Sequence, residues 1–124
     1  MPSNTGNINQ TGIASGALAT ADIFVTLDAS DEVVASGDGA RAIGVLQTTA
    51  ADQGDAVTYT TSGFVDVLAQ AVVAVGSPVM SDLNGNAIAA ATATKFALGI
   101  VVGQATAVGV VSRIYLQTSV AVPA

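Results

Sequence analysis

Turn-forming residues interrupt this chain about every 8 to 12 positions from Asp22 onward, and this spacing constrains the fold more than any other feature. Between the turns lie short runs of Val, Ile, Thr and Ala, and no stretch has a long helical period. Such spacing is typical of sandwiches and barrels. We therefore predict a mainly β, compact sandwich-like or barrel-like domain with at most one short helix.

Several local signals place the predicted elements. Asn84-Gly85 predicts a hairpin because both residues tolerate positive φ, and Ser62-Gly63 predicts a turn. The Ala-rich segment 87–94 is compatible with a short helix or an edge strand. The predicted strands cover residues 23–27, 32–35, 41–46, 56–61, 64–69, 79–80, 95–102 and 108–120.

Two stretches of the chain resemble each other. Gly44 and Gly99 are 55 positions apart, as are Gly54 and Gly109, while Tyr59 and Tyr115 are 56 apart. Each stretch has an apolar-Gly-apolar strand, a connection ending in Gly and a strand that carries Tyr. We predict two related hairpin units, about residues 31–61 and 82–118, packed around one core within a single β domain of residues 22–124.

The first 21 residues carry no charged side chain. We predict that they form an extended N-terminal arm, either frayed or ordered along the sheet edge of a partner. The lack of charge favours the second alternative, since solvated tails usually carry charge. The candidate binding residues of this arm are Asn4, Thr5, Asn7, Ile8, Gln10 and Ile13.

Charge excludes two classes of partner. Nine acidic and three basic residues give a net charge of −6, so the chain lacks the cations that phosphates or an anionic membrane surface require. Charged residues are only 10% of the chain and apolar residues 51%, which predicts apolar surface left over for a protein partner. No signal peptide or membrane-spanning run is visible, so we expect synthesis in the cytoplasm.

The sequence offers little for catalysis. It contains no His and no Cys, which excludes triads and thiol chemistry, and we predict no enzymatic activity, cofactor or small-molecule substrate. The acidic residues cluster around turns, where Asp is common for conformational reasons. Six of the nine acidic residues belong to these clusters: Asp28, Asp31, Glu32, Asp38, Asp52 and Asp55.

Two places in the sequence offer oxygen ligands for a cation. Residues 82–86 begin like a calcium loop, but Ala87 and Ala93 stand where that loop needs Gly and Glu, so the hairpin interpretation is preferred. A weak oxygen-ligated ion at Asp28, Asp31 or Asp38 stays open.

The five aromatic residues all lie in predicted strands, and we expect them to fill the core. In the last strand, Ile114 and Leu116 alternate with Arg113 and Tyr115.

Two segments carry a family resemblance. Residues 37–46, followed by Ala50-Ala51-Asp52-Gln53 and then by 58–64, resemble the head decoration proteins of lambda-type phages. Residues 75–79 and Leu98-Gly99-Ile100 resemble a broader family of small phage decoration and capsid-fibre proteins, which typically show two copies of an apolar-Gly-Val segment. Together these matches cover roughly residues 31–118.

The resemblance implies a compact, β-tulip-like fold and homotrimers on the outer surface of a phage capsid. It also implies an N-terminal arm that adds a strand to the major capsid protein. We therefore expect a structural virion protein that decorates and stabilises a capsid. The alternatives are a β-rich subunit of another extracellular assembly, such as a fibre or surface layer, a receptor or adhesion module, or an enzyme that uses carboxylates alone.

Overall fold

The computed structural model describes residues 8–89, 96–103 and 109–121, and every regular element in this part of the chain is a β-strand. This confirms the predicted all-β, barrel-like fold. The strands are β1 (Ile8–Ile13), β2 (Phe24–Leu27), β3 (Val33–Ala35), β4 (Gly44–Leu46), β5 (Ala56–Leu68), β6 (Pro78–Ser81), β7 (Ala87–Ala89), β8 (Phe96–Gly103) and β9 (Val111–Ala121).

These strands form one curled antiparallel sheet in the order β3-β2-β4-β5-β9-β8-β6-β7, and β1 pairs with β5 beside this path. The predicted hairpin at Asn84-Gly85 is present between β6 and β7. The segment considered as helix or edge strand begins as strand β7, and its residues 90–94 lie outside the described part.

The turn predicted at Ser62-Gly63 is wrong, because β5 continues through both residues for 13 positions. Gly63 has a φ of 112°, which only glycine adopts easily, so the strand changes direction without ending. Its first half pairs with β1 and β4, and its second half pairs with β9. The glycine therefore joins two parts of the molecule instead of closing a hairpin.

The two halves of β5 belong to two copies of the same structural unit. Unit 1 comprises residues 8–62, with the strand order β1-β5-β4-β2-β3, and unit 2 comprises residues 63–121, with the order β5-β9-β8-β6-β7. Each strand of unit 1 has its counterpart 54 or 55 positions later, at the same place in the sheet. The internal similarity seen in the sequence is therefore a structural duplication that starts well before residue 31.

Backbone hydrogen bonds repeat between the units. The Ala14 amide donates to the Asp55 carbonyl at 2.9 Å, and the Ala69 amide donates to the Val110 carbonyl at 3.0 Å. The amides of Gly54 and Gly109 donate in turn to the carbonyls of these two alanines. The loops that enter each unit's last strand are thus held in the same way.

The turns between β2 and β3 and between β6 and β7 are also equivalent. An Asp28 carboxylate oxygen accepts hydrogen bonds from the amides of Ser30 and Glu32, at 2.9 and 3.0 Å. The Asp82 carboxylate does the same for the amides of Asn84 and Asn86, at 2.8 and 3.0 Å. Both aspartates thus stabilise a tight hairpin turn by local hydrogen bonding.

The register corrects one part of the sequence alignment between the units. Leu46 pairs with Tyr59 in unit 1, and Val101 pairs with Ile114 in unit 2. The counterpart of Tyr59 is therefore Ile114, at an offset of 55, and Tyr115 corresponds to Thr60. The 56-residue spacing of the two tyrosines is a coincidence of composition.

Gly44 and Gly99 are required by the same close approach. A Cβ on Gly44 would collide with the Thr60 carbonyl oxygen, and one on Gly99 would lie 2.7 Å from the Tyr115 carbonyl oxygen. Each glycine thus lets one strand approach the backbone of its neighbour, as expected for a glycine inside a strand.

The interior forms two clusters, where the sequence predicted one core. The first lies on the inner face of unit 1, defined as the face that carries Val25, Leu46 and Tyr59. The second lies on the equivalent inner face of unit 2, with Val79, Val101 and Ile114, and it also includes Phe24 and Val45 from the opposite, outer face of unit 1. Unit 2 therefore covers the outer face of unit 1.

Candidate assembly surface

The outer face of unit 2 carries a row of exposed apolar side chains. Phe64 lies opposite Tyr115, Tyr115 opposite Ile100, and Ile100 opposite Pro78, so the row crosses four neighbouring strands. Directly opposed residues of antiparallel strands point to the same side of the sheet. Phe64, Tyr115 and Ile100 are exposed by 49%, 40% and 37%.

The aromatic end of the row is a packed pair. The rings of Phe64 and Tyr115 are tilted by 52° with centroids 5.3 Å apart, a favourable arrangement for an aromatic pair. Two residues further along the same strands, the Arg113 Nε donates to Asp66 Oδ1 at 3.1 Å. The outer face of unit 2 thus combines an apolar row with one ion pair, while Val102 and Val111 add further exposed apolar surface.

The equivalent outer face of unit 1 is different. The counterparts of Tyr115, Ile100 and Pro78 are Thr60, Val45 and Phe24, and all three are buried. The counterpart of Phe64 is Asn9, whose side-chain oxygen accepts a 2.7 Å hydrogen bond from the Thr60 hydroxyl. Three of the four positions in unit 1 are therefore covered within the chain and Asn9 is exposed, whereas the same face of unit 2 is open.

Charge is divided unequally between the units. Unit 1 holds seven acidic residues and one basic residue, so the whole net charge of −6 belongs to it. Unit 2 holds two acids and two bases and is neutral. The apolar row therefore lies on the neutral unit.

The expectation that aromatic residues fill the core is wrong for two of them. Phe24 and Tyr59 are buried as expected, but Phe64 and Tyr115 are exposed, and the side chain of Phe96 lies outside the described part. The sequence carried one signal for this, since Tyr115 alternates in phase with Arg113 and out of phase with Ile114.

The predicted arm residues fall in two groups. Asn4, Thr5 and Asn7 lie outside the described residues. Ile8, Gln10 and Ile13 are exposed residues of β1, which pairs with residues 56–62 of its own chain. Ala14 and Leu18, which follow, are buried in the core of unit 1.

Within the described part of the chain, β1 pairs with β5 and its other side is open along Ile8–Ile13. This edge closes directly after β1, where Ala14 bridges to Val33 and the Ser15 amide donates to the Val33 carbonyl at 3.0 Å. An open edge presents unpaired amides and carbonyls to which an extended segment of another protein can add. Whether the arm binds a capsid protein stays a prediction.

The acidic turns do not converge. In the part of the chain that the structure describes, no three acidic residues lie close enough to hold a metal ion. The Asp28 and Asp82 carboxylates are occupied by backbone amides. Hydrogen bonds from the Glu32 amide, the Ser15 hydroxyl and the Ser30 amide lower the pKa of Asp28.

Asp22 is perturbed in the opposite direction. Burial, and to a smaller extent the neighbouring Asp66 carboxylate, raise its pKa. Its φ of 62° is unusual for a residue other than glycine, and its counterpart in unit 2 is Gly76, with a φ of 88°. Both the positive φ of Asp22 and the negative charge of its carboxylate are therefore unfavourable at this position.

A cleft of about 450 Å³ opens between the units. None of its lining residues is charged, so the cleft presents neutral side chains. They are Ala17, Leu18, Ala19, Thr20, Ile23, Ala35, Leu68, Gln70, Asn84 and Asn86. Among the described residues, no helix is long and apolar enough to cross a membrane.

This architecture is also found in a solved structure. The chain is similar to the head fiber gp8.5 N base in bacteriophage phi29, with a TM-score of 0.74 and 16% sequence identity over 90% of this chain and 94% of that one. The likeness shows a common fold. No family model matches the chain, and no curated protein matches it.

These comparisons support the predicted link to small phage capsid-fibre proteins at the level of fold, and they do not reach the lambda-type decoration family. Of the residues behind that resemblance, the strand glycine Gly44 recurs in unit 2 as Gly99, whereas the Gly-rich turn 37–39 and the run Ala50-Ala51-Asp52-Gln53 occur in unit 1 alone.

Proposed function

We propose that this chain is a structural protein of a phage virion that assembles with copies of itself on the outer surface of the capsid. The observation that carries the proposal is the fold shared with the phi29 head fiber base over almost the full length of both chains. The chain would be made in the host cytoplasm and would contact the major capsid protein there or on the particle.

The distribution of charge supports an outer position. A protein on the inner surface would face packaged nucleic acid, and the anionic unit 1 would be repelled by it. On the outside, the same charge keeps the exposed unit solvated. The proposal includes no catalytic step, cofactor, membrane or nucleic acid.

Capsid binding is assigned to the N-terminal arm and to the open edge of β1. The uncharged residues Asn4, Thr5 and Asn7 precede β1 directly, so a capsid-protein strand that pairs with them could continue along the β1 edge. Backbone hydrogen bonds would supply the affinity, and several linked copies would bind with avidity. A trimer that bridges neighbouring capsid subunits would oppose their separation, which is how decoration would stabilise the shell.

The arm is tested by removing residues 1–7 and mixing the truncated chain with undecorated capsids of the phage that encodes it. The cut leaves β1, Ala14 and Leu18 in place, so the domain should stay folded, whereas a cut at residue 20 would remove part of the core. We expect the truncated chain to keep its circular dichroism spectrum and to lose most particle binding in co-sedimentation.

Two results would contradict the proposal. Full occupancy by the truncated chain would exclude the arm as the attachment element. Failure of the intact chain to bind capsids of its own phage, before and after expansion, would exclude the decoration role and favour another extracellular assembly.

A further inference from the structure

The repeated architecture indicates what the exposed row of unit 2 is for. In unit 1, the same positions of the sheet are covered, with Val45 and Phe24 fully buried under the inner face of unit 2. Proteins built from stacked units normally end in a polar outer face, because the last unit has no neighbour. Unit 2 instead ends in Phe64, Tyr115 and Ile100, so its outer face has the composition of a covered surface.

The charge distribution favours one direction of approach for a second copy. Two copies of a chain with a net charge of −6 repel each other, and contact through unit 1 would bring the acidic residues of both copies together. Contact through the neutral unit 2 leaves those charges at the far ends. The chain is therefore built so that copies approach one another with unit 2 first.

The polar groups of the face fit the same occupant. Asp66 and Arg113 lie side by side next to the aromatic row, so the face carries both signs of charge. A second copy brings the same two signs, which allows opposite charges to meet across the contact.

A second copy cannot pack on unit 2 in the way that unit 2 packs on unit 1. The inner face of unit 1, which a further unit would have to present, is already filled by Leu18, Ile23 and Ala50. The contact must therefore use the outer face of unit 2 itself or the flank next to it.

We propose that the outer face of unit 2, centred on Phe64, Ile100 and Tyr115, is the surface through which this chain binds a second copy of itself. This deepens the proposed function, which includes self-assembly, and it assigns the contact to one face. Self-association then uses the outer face of unit 2, whereas capsid attachment, in the proposed function, uses the N-terminal arm and β1 of unit 1.

The test exchanges residues of unit 2 for their own counterparts in unit 1. The double variant Phe64→Asn and Tyr115→Thr copies Asn9 and Thr60, which this fold accepts at the equivalent positions. We expect sedimentation equilibrium of the full-length chain to show an oligomer for the wild type and self-association weakened at least tenfold for the variant. Leu83→Ser is the matched control, since it removes an exposed apolar side chain from the β6–β7 turn, outside this face.

Three sedimentation results would overturn the proposal. The first is a wild-type chain that stays monomeric up to millimolar concentration. The second is a folded double variant that associates as strongly as the wild type. The third is a control variant whose self-association is weakened as much as that of the double variant.

Hydroxyl-radical footprinting gives a second measurement, needed if the double variant does not fold. In the wild type we expect the oxidation of Phe64 and Tyr115 to fall as protein concentration rises, while that of Leu83 stays constant. Unchanged oxidation of the two aromatic residues would overturn the proposal.

Footprinting with capsids separates this inference from the proposed function. If Tyr115 is protected only when capsids are added, the capsid protein occupies the face, and self-binding there is excluded while decoration stands. If Tyr115 is protected in the free oligomer but no capsid is ever bound, the self-association face stands and the decoration role is excluded.

Discussion

The two units of this chain have the same backbone and opposite surfaces. Their strand orders, loop hydrogen bonds and Asp-stabilised turns coincide at an offset of 54 or 55 residues. Unit 1 nevertheless carries the entire net charge and hides its outer row, whereas unit 2 is neutral and exposes that row. The duplication kept the contacts that define the fold and left the outer faces free to specialise.

The difference reaches individual backbone positions. At two places with positive φ, unit 1 has Asp22 and Asp31 where unit 2 has Gly76 and Gly85. Glycine adopts this conformation without strain, while aspartate adopts it at some cost. Unit 1 thus carries charge even at two positions where the backbone favours glycine.

The largest expected effect is a difference in stability between two phenylalanine variants, one at the buried Phe24 and one at the exposed Phe64. Phe24→Ala should lower the free energy of unfolding by about 3 to 5 kcal/mol, because Phe24 fills the contact between the units. Phe64→Ala should cost less than about 1 kcal/mol, because its side chain is half exposed. Urea unfolding at a concentration where the chain is dissociated measures both, and similar losses would contradict the assignment of covered and open faces.

The two strand glycines test whether the units tolerate change equally. Gly44→Ala and Gly99→Ala should each lower the free energy of unfolding by about 1 to 3 kcal/mol, because a Cβ would push apart two paired strands. The loss should be greater at Gly44, whose Cβ would approach the facing carbonyl more closely.

Gly37→Ala is the control for this pair, since no atom lies within 4 Å of the added Cβ. Its unfolding free energy should change by less than about 0.5 kcal/mol. A tolerated alanine at either Gly44 or Gly99 would mean that the two strand pairs are not equivalent.

Much of this duplication was predictable from the sequence. Gly44, Gly99, Gly54 and Gly109 were recognisable because steric demands leave few substitutes for glycine at such positions. The fold class followed from turn spacing. The full extent of the units was hidden, because β1 and the second half of β5 share position and pairing while their sequences, INQTGI and FVDVL, have little in common.

The candidate surface was the hardest part to predict. Which face of a strand is covered depends on how the sheet curls, and that is decided at Gly63, whose neighbourhood resembled a hairpin turn. Alternation of polar and apolar residues therefore does not predict burial everywhere. Thr60 lies on the polar side of its strand pattern and is nevertheless buried by the other unit.

A smaller effect on stability is expected at Asp31, an aspartate of unit 1 with a positive φ. Asp31→Gly should raise the free energy of unfolding by about 0.5 to 1 kcal/mol, because it restores the residue that unit 2 has at Gly85. Asp31→Asn removes the charge and keeps the side chain, so it should give less. If Asp31→Asn stabilises the fold as much as Asp31→Gly, the charge of Asp31 and not its positive φ is what destabilises the wild type.

The smallest expected effect is a change in the pH dependence of stability, with opposite signs at two aspartates of unit 1. The pKa of Asp22 is raised in the folded state, so the stability it contributes is fully present below its unfolded pKa of about 3.8 and is lost as the pH rises through the folded value. The pKa of Asp28 is lowered, so its contribution is present above that pH and is lost as the pH falls.

Single substitutions to asparagine separate the two aspartates. Asp22→Asn should match the wild type near pH 3 and become more stable than it towards neutral pH, because it removes the partly buried charge beside Asp66. Asp28→Asn should be less stable than the wild type at neutral pH and approach it in acid, because the amide accepts the hydrogen bonds of Ser30 and Glu32 more weakly. Thermal unfolding from pH 3 to 8 measures both. If the stability of the two variants changes with pH in the same way, the two aspartates do not contribute to stability with opposite signs, and this comparison within unit 1 is wrong.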